Sequence, residues 1–515
     1  MNPVIVGSFA ICAGATLAAI VATPIVIRAA RLGRFCDLPD GVRKQHGAST
    51  PLGGGVAVFV AATLIVALAY CMVPGIRGID PSFLRQQLHL VAALSVILIV
   101  GLYDDRYGLR GAHKLLGQVV ASLILIAGGF VFFRCDVLGW RLELGHFGYL
   151  VTLGWLLGTV NAINLMDGAD GVASTLGIGI CSSLAAIAFF SGHPETAVVP
   201  LALAGALAGF LVFNLPPAKI YLGDGGSMVL GLAVGAVAIQ ASIKSQATFA
   251  VAAPVALLTL PLLDTGYAIF RRILTGRSIY DTDRGHLHHR LLHQGVTPLR
   301  LVLVVALVTA VTSIAAIASL RTGADAIALV TALAVVVYLA IQRIIGHGEW
   351  RLITWHLRQS RNSTNPTAID QYVHLQGRLP WSGPWKSLTR QAHRQNWDAL
   401  QVTLSLPWLH EAFHARWGNA AAFRARNNWT LRLPLSVLEK QVGWVEIAGG
   451  TRPAIGAPQQ ALDATAWSDL TRIVNAFQGE LTDVAVSDSR LSPAPESSSF
   501  SRQPPYKELL AHPEV

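Results

Sequence analysis

The stretch "NAINLMDGADGVAS" occupies residues 161–174, between two long runs almost free of polar groups. Asn161 and Asn164 are spaced i, i+3, and so are Asp167 and Asp170; on a helix each pair shares one face. A carboxylate at membrane depth costs about 2.5–3.5 kcal/mol even by the gentlest measure, so such residues mark a pathway or a site. Gly168 and Gly171 leave room for a second helix or a ligand to come close. A structural polar network is the alternative reading, since asparagine often bonds across membrane helices. It accounts for the two asparagines and leaves the two aspartates without a reason.

Three more stretches carry chemistry. In "GLYDDRYGLRGAHKLLGQ" (101–118), Asp104 and Asp105 are adjacent and Lys114 follows ten residues after the first. Neighbouring carboxylates repel unless a cation lies between them or one keeps its proton. In "NLPPAKIYLGDGGSMVLG" (214–231), Asp224 sits in a Gly-rich turn, where successive N–H groups can form an anion-binding nest. The segment "PLLDTGYAIFRRILTGRSIYDTDRGHLHHRLLHQG" (261–295) holds Asp264, Asp281, Asp283, five arginines, and His286, His288 and His289. No HExxH or other three-ligand pattern is present there, so phosphate contact or proton handling suits these histidines better than a metal. On a helix, His286 and His289 would share a face and His288 would point elsewhere. A solvated basic loop facing anionic lipid is the plainer reading of this segment.

These residues need a scaffold, and the composition says which kind. Of 515 residues, 53% are hydrophobic and 13% charged, and the mean hydropathy is +0.50. Soluble globular chains carry about 25% charge, so the chain is read as a membrane protein. Runs long enough for a bilayer of about 30 Å are expected at 4–30, 52–73, 88–103, 115–133, 148–163, 173–191, 197–213, 228–243, 246–264, 299–319 and 323–345. The expectation is an all-α polytopic protein with about eleven transmembrane helices. The first run lacks a basic leader and a cleavage site, which makes it a span and not a signal peptide. Alternate loops hold fourteen Lys and Arg against six, which places the richer set in the cytoplasm, the N-terminus outside and the C-terminus inside. On that cytoplasmic side every acid is Asp, including Asp37, Asp40, Asp104, Asp105, Asp167, Asp170, Asp224 and Asp264. Short carboxylates at helix ends suit a hard cation such as Mg²⁺, although Asp also caps helices well. Asp for a metal, with Arg, Lys and His for phosphates, equips a membrane enzyme that moves a phosphorylated group from a soluble nucleotide to a lipid. The five cysteines form no C-x-x-C pair and argue against a zinc site or a disulfide framework.

The ordered stretches "DLPDGVRKQHGASTPLGGG", "GLYDDRYGLRGAHKLLGQ", "NAINLMDGADGVAS", "NLPPAKIYLGDGGS" and "PLLDTGYAIFRRILTGRSIYDTDRGHLHHRLLHQG" resemble the polyprenyl-phosphate N-acetylhexosamine-1-phosphate transferase family from about residue 5 to 345. The resemblance implies transfer of N-acetylglucosamine 1-phosphate, or a related N-acetylhexosamine 1-phosphate, from the UDP-sugar to undecaprenyl phosphate. UMP is released, and Mg²⁺ is required, with Mn²⁺ as a substitute. It implies a bacterial inner-membrane enzyme that opens cell-surface polysaccharide assembly, with no nucleic-acid partner and with a homodimer among the arrangements open to it. By the same resemblance Asp104 and Asp105 meet the lipid phosphate, and Asp167 with Asp170 beside it binds the metal. Lys44, His46, Lys114, Asn161, Asn164, Asp224, Arg284, His286, His288 and His289 contact the substrates. "RKQH" and "DRGHLHHRL" resemble the branch that uses UDP-N-acetylglucosamine. The peptidoglycan branch, which takes UDP-N-acetylmuramoyl-pentapeptide, is the runner-up. Leu52 stands where the family usually has Arg before the glycines, which puts that arginine's role in doubt here.

A transporter or flippase also uses intramembrane Asp and Asn, but it has no need for an acid cluster on one face, and no inverted repeat is visible. A membrane scaffold presenting its C-terminal domain is the third class. Residues 1–345 are expected to form the transferase domain, and 346–480 a small cytoplasmic α/β extension that regulates or docks a cytosolic partner. Residues 481–515 are expected to be a disordered tail. In the extension, "WDALQVTLSLPW" and "NWTLRLPLSVLEKQVGWVEIAGG" read as strands with a turn at Gly443, and "ATAWSDLTRIVNAF" as a helix.

Overall fold

In lipid, backbone N–H and C=O groups must find partners within the chain, so apolar runs become helices. The computed structural model describes residues 3–37, 49–72, 80–242, 248–274, 286–342, 344, 371–376, 379–406, 411–419, 422–423, 428–437, 440–450 and 464–486. The chain divides into two compact units, Met1–Asn365 and Pro366–Val515.

The first unit is helical. Its longer helices are α1 (Pro3–Leu32), α2 (Gly54–Met72), α3 (Pro81–Tyr107), α4 (Gly111–Ala127), α5 (Phe147–Met166), α6 (Val172–Phe190), α7 (Val198–Asn214) and α8 (Gly223–Ser242). After them come a short α9 (Ala252–Leu257), α10 (Thr259–Leu274), α11 (Leu287–His293), α12 (Pro298–Thr322) and α13 (Asp325–Ile341). Among the described residues eight helices are long and apolar enough to cross a membrane, and α4 and α13 are apolar but only 17 residues each. The expected span at 246–264 is broken: it contains a strand at Thr248–Ala250, all of α9 and only the start of α10. Pro261 offers no N–H to the carbonyl of residue 257, so the helical ladder stops there and restarts.

Small residues set how closely these helices pack. A Cβ on Gly205 would run into the Cys12 carbonyl oxygen, and one on Gly209 into that of Thr16. This spacing lets the backbones of α7 and α1 touch, and the Thr16 hydroxyl donates across the contact to the Gly205 carbonyl at 3.0 Å. The most enclosed helix is α8, packed against α3 and α5. A Cβ on Gly101 would press on Gly225, and one on Gly231 on the Val160 backbone. The N-terminus of α8, where Asp224 lies, is therefore held against the C-terminal ends of α3 and α5.

Among the described residues, two small sheets accompany the helices of the first unit. Strands β1 (Cys36–Asp37) and β2 (Thr50–Pro51) pair antiparallel, and β3 (Arg134–Val137) forms a hairpin with β4 (Trp140–Glu143) while pairing in parallel with β5 (Thr248–Ala250).

The second unit is a five-stranded antiparallel sheet, β6 (Gln371–Gln376), β7 (Ala399–Leu406), β8 (Glu411–Gly418), β9 (Asn428–Val437) and β10 (Lys440–Gly450), in the order β6-β8-β7-β10-β9. Helices α14 (Ser382–Arg394) and α15 (Ala464–Val486) contribute Trp385, Leu388, Leu470 and Phe477 to one core with Leu400, Val402, Phe413 and Val445. Buried Glu411 accepts from the Trp381 indole at 2.9 Å and from the Leu379 amide at 3.2 Å. Gly443 is not a turn: it sits inside β10 at a register shift after Gln441. The helix expected from Ala464 continues to Val486, so residues 481–486 belong to it and not to a tail.

Candidate active site

Asp104 and Asp105 lie in the last turn of α3 and point in different directions. The Leu109 amide donates to Asp104 Oδ1 at 2.6 Å, which closes the α3 terminus. The other Asp104 oxygen meets Lys114, from the first turn of α4. Lys114 Nζ is 2.8 Å from Asp104 Oδ2 and 2.7 Å from Asp224 Oδ2, so one ammonium bridges two carboxylates from two helices. Asp105 takes the amides at the start of α8: Asp224 N donates to Oδ1 at 2.8 Å and Gly225 N to Oδ2 at 3.2 Å. The Gly-rich turn thus receives an anion, and that anion is the chain's own carboxylate. Gly223 has φ +76°, and a Cβ there would come 2.6 Å from Asp105 Oδ2, so glycine is required for this cap to form.

The C-terminal end of α5 supplies the other half. Asn164 Nδ2 donates to Asp224 Oδ1 at 2.7 Å and to Ser227 Oγ at 2.8 Å. Asn164 and Lys114 together occupy both oxygens of Asp224. Asn161 faces Gln118 instead, donating to its Oε1 at 2.8 Å and accepting from its Nε2 at 3.3 Å. Asn161 thus bonds across helices to Gln118, whereas Asn164 bonds to the carboxylate of Asp224. Asp167 follows the last residue of α5 and is half-buried. Burial first, and then the negative charges of Asp224, Asp105 and Asp170, hold its carboxyl well above the ordinary carboxylate range. Asp170 accepts from the Ala218 amide at 2.9 Å, tying the 167–171 loop to the loop that leads into α8. Buried Asn214 makes the same tie: its Oδ1 accepts from the Gly171 amide at 3.2 Å and from Ser174 Oγ at 2.9 Å, while its Nδ2 donates to the Ile220 carbonyl at 3.0 Å.

The histidines are arranged differently from the helical expectation. The helix begins at Leu287, and His286 lies before it with extended backbone (φ −64°, ψ 151°). The shared face of His286 and His289 therefore does not exist. Buried Asp264 organises this start: its Oδ2 is 3.0 Å from His286 Nδ1, and its Oδ1 accepts from the Leu287 amide at 2.8 Å. His288 points at the acidic loop, so close to Gly168 that a Cβ there would collide with its Nε2. The His288 ring is parallel to that of His286 at 5.9 Å and tilted against His289 at 4.3 Å. It is 2% exposed, and neither ring nitrogen has a hydrogen-bond partner among the described residues. Burial, and then His289, push its pKa down to about 3, so it is neutral near pH 7.

The structure thus brings together Asp104, Asp105, Lys114, Asn164, Asp167, Asp170, Asp224 and His288, all at one end of the bundle. Asn161, His286 and His289 stand behind them, and Lys44, His46 and Arg284 lie outside the described residues. Gln118, Asn214, Ser227 and Asp264 are additional positioning residues. Each lies inside a stretch already singled out in the sequence, but nothing in its local spacing marks its role. Among the described residues no three His, Cys, Asp or Glu side chains converge as a ready metal cage.

The sequence profile of glycosyl transferase family 4 matches residues 87–242, which contain most of these groups. A Bacillus subtilis protein named "Probable undecaprenyl-phosphate N-acetylglucosaminyl 1-phosphate transferase" is 33% identical over 294 residues, covering 57% of this chain and 79% of that one. A Mycolicibacterium smegmatis decaprenyl-phosphate N-acetylglucosaminephosphotransferase is 33% identical over 333 residues, covering 59% and 80%. The Escherichia coli K12 undecaprenyl-phosphate alpha-N-acetylglucosaminyl 1-phosphate transferase is 26% identical over 286 residues, covering 53% and 73%. With most of a relative's length matched at one identical residue in three, and with the matched profile running from α3 to α8 through the helices that carry the acid cluster, the chain belongs to glycosyl transferase family 4, among the polyprenyl-phosphate N-acetylhexosamine-1-phosphate transferases.

Proposed function

We propose that this protein transfers N-acetylglucosamine 1-phosphate from UDP-N-acetylglucosamine to undecaprenyl phosphate with Mg²⁺ bound, as the first membrane step of a cell-surface polysaccharide. The observation that carries the reading is Asp224, fixed by Lys114 and Asn164 beside an Asp167 whose carboxyl is held well above the ordinary carboxylate range by burial and by three neighbouring aspartates. In the reaction an oxygen of the lipid phosphate attacks the sugar-bearing phosphorus of the nucleotide. The bond from that phosphorus to the bridging oxygen breaks, and UMP leaves with the electron pair. Transfers of this kind depend on positioning and on cations around the phosphates.

The residues fit Mg²⁺ by the chemistry of their donors. Mg²⁺ is commonly held by one or two carboxylates, with waters and substrate phosphates filling the remaining positions. Asp167 would hold it, flanked by Asp170 and Asp224, and the ion would offset charge on the diphosphate. The other roles fall to the protein's own groups. Lys114 keeps Asp104 and Asp224 from repelling each other and leaves its charge near the arriving phosphates. Asp105 fixes the α8 terminus. Neutral His288, with an N–H and a lone pair both unused, can donate to a diphosphate oxygen without adding a cation. The enzyme sits in the bacterial inner membrane with its site facing the cytosol, where nucleotide sugars are made.

The test is direct. Protein in vesicles with undecaprenyl phosphate, Mg²⁺ and UDP-N-acetylglucosamine labelled in the sugar and the β-phosphorus should yield a labelled lipid and one UMP per lipid formed. Labelled lipid without UMP, or no labelled lipid with this donor while UDP-N-acetylmuramoyl-pentapeptide is accepted, would overturn the assignment.

A further inference from the structure

The β3–β4 hairpin lies at the end of the bundle away from the acid cluster, between the C-terminus of α4 and the N-terminus of α5. Its two strands are amphipathic across the sheet. The cross-strand pairs Arg134 with Glu143 and Asp136 with Arg141 put four charges on one face, and Arg134 Nε is 3.0 Å from Glu143 Oε1. Side chains alternate along a strand, so Trp140 and Leu142 stand on the opposite face with Cys135. Cys135 is buried at the root of the hairpin, whereas Trp140 is 77% and Leu142 52% exposed. Leu138 at the tip, held at φ +55° and 56% exposed, extends the same apolar surface. The Gly139 amide donates to Asp136 Oδ1 at 3.1 Å, which fixes the turn that presents it.

We infer that this face of the hairpin rests on the bilayer, with Trp140 and Leu142 in the headgroup region and the Arg134–Glu143 face toward water. The occupant follows from position and chemistry. Only three residues separate β4 from the first residue of α5, a membrane-crossing helix, so the hairpin cannot leave the membrane surface. The first turn of α5 exposes Phe147 and Leu150, each at 59%, which continue the apolar surface toward lipid. Tryptophan is enriched at the membrane–water interface, where its apolar ring and its N–H are both accommodated. The hairpin would thus brace the outer ends of α4 and α5, whose inner ends carry Lys114 and Asn164.

Photo-crosslinking in vesicles of phosphatidylethanolamine and phosphatidylglycerol tests this. p-Benzoylphenylalanine is placed at position 140 in one full-length sample and at 141 in another, and retained transferase turnover confirms that both are folded. Position 140 should give lipid adducts by mass spectrometry several-fold more often than position 141. Crosslinking of 140 to a second copy would overturn the inference and make the β4 edge a dimer contact. No adduct at 140, or equal yields at both positions, would overturn it too, since the face would then be in water or unoriented.

Discussion

Among the side chains, Asp167 and Lys114 carry opposite burdens. Asp167 has three other aspartates near it and a backbone hydrogen bond from Gly223, and the proposed function gives it a cation from outside the chain as its partner. Asp167→Asn keeps the shape and removes the charge. Turnover should fall by about 100-fold or more, about 2.7 kcal/mol in barrier. A second readout avoids the reaction altogether. Mg²⁺ at about a hundred times its dissociation constant should stabilise the wild-type protein by about 2.7 kcal/mol. The resulting rise in Tm should vanish in Asp167→Asn, and an undiminished rise would move the metal elsewhere. Lys114 has two partners already. Lys114→Met leaves Asp104 and Asp224 facing each other, and the pair is partly open to solvent, so a discounted loss of about 1–3 kcal/mol is expected. Lys114→Arg keeps the charge and should recover most of that stability in a thermal melt.

The elements matter through where they stop. His288 reaches the acidic loop because α11 starts one residue after His286, on the cap that Asp264 provides. Gly168→Ala would drive a methyl into the His288 ring, and kcat/KM for the nucleotide sugar should drop with little change in the Tm. The reverse pattern, a lower Tm with normal turnover, would make His288 a packing residue. His288 also gives a pH signature. Its folded pKa of about 3 lies below the ordinary 6.5, so between these values the unfolded chain binds a proton that the folded chain refuses. The stability linked to neutral His288 is fully present above about pH 6.5 and is lost as pH falls toward 3. His288→Asn should flatten the acid side of the curve of Tm against pH. Helix contacts give a simpler case. Gly209→Leu would force α7 away from the Thr16 carbonyl of α1 and should lower stability by about 1–3 kcal/mol, read as a lower Tm in detergent.

For the molecule as a whole, the bundle places every acid of the site at one end, and the side of the membrane on which that end lies decides whether nucleotide sugars can reach it. A reporter active only outside the membrane, fused after Arg321, and one active only in the cytosol, fused after Gly276, should both give signal. Silence from both means the orientation is reversed. The second unit has its own core of tryptophans and leucines around a five-stranded sheet.

How much of this was legible beforehand depends on the range of the interaction. Composition, apolar run lengths and charge asymmetry are properties of short windows. They suffice for a polytopic helical protein with a polar C-terminal part, and the motif stretches 101–118, 161–174, 214–231 and 261–295 suffice for the family. Spacing within one helix is also local, and Asn161 and Asn164 do lie on α5. Asp167 and Asp170, however, follow its end in the 167–171 loop, so the helical face expected for them does not exist. What failed was continuity. The run at 246–264 looks like one span, yet Pro261 interrupts its hydrogen bonds, and His286 fits a helical face yet lies outside the helix. Roles set by contacts across more than a hundred residues were not legible either. Asp105 capping α8, Lys114 bridging Asp104 and Asp224, and Asn214 joining two loops depend on helices brought together by glycine contacts such as Gly101 on Gly225. The sequence alone determined which residues are chemically able to act, because that is a matter of side-chain type and local spacing. Only the tertiary structure decided which of them bond to one another and which stay available for a substrate, because a hydrogen bond reaches about 3 Å and its partners were set by packing between distant segments.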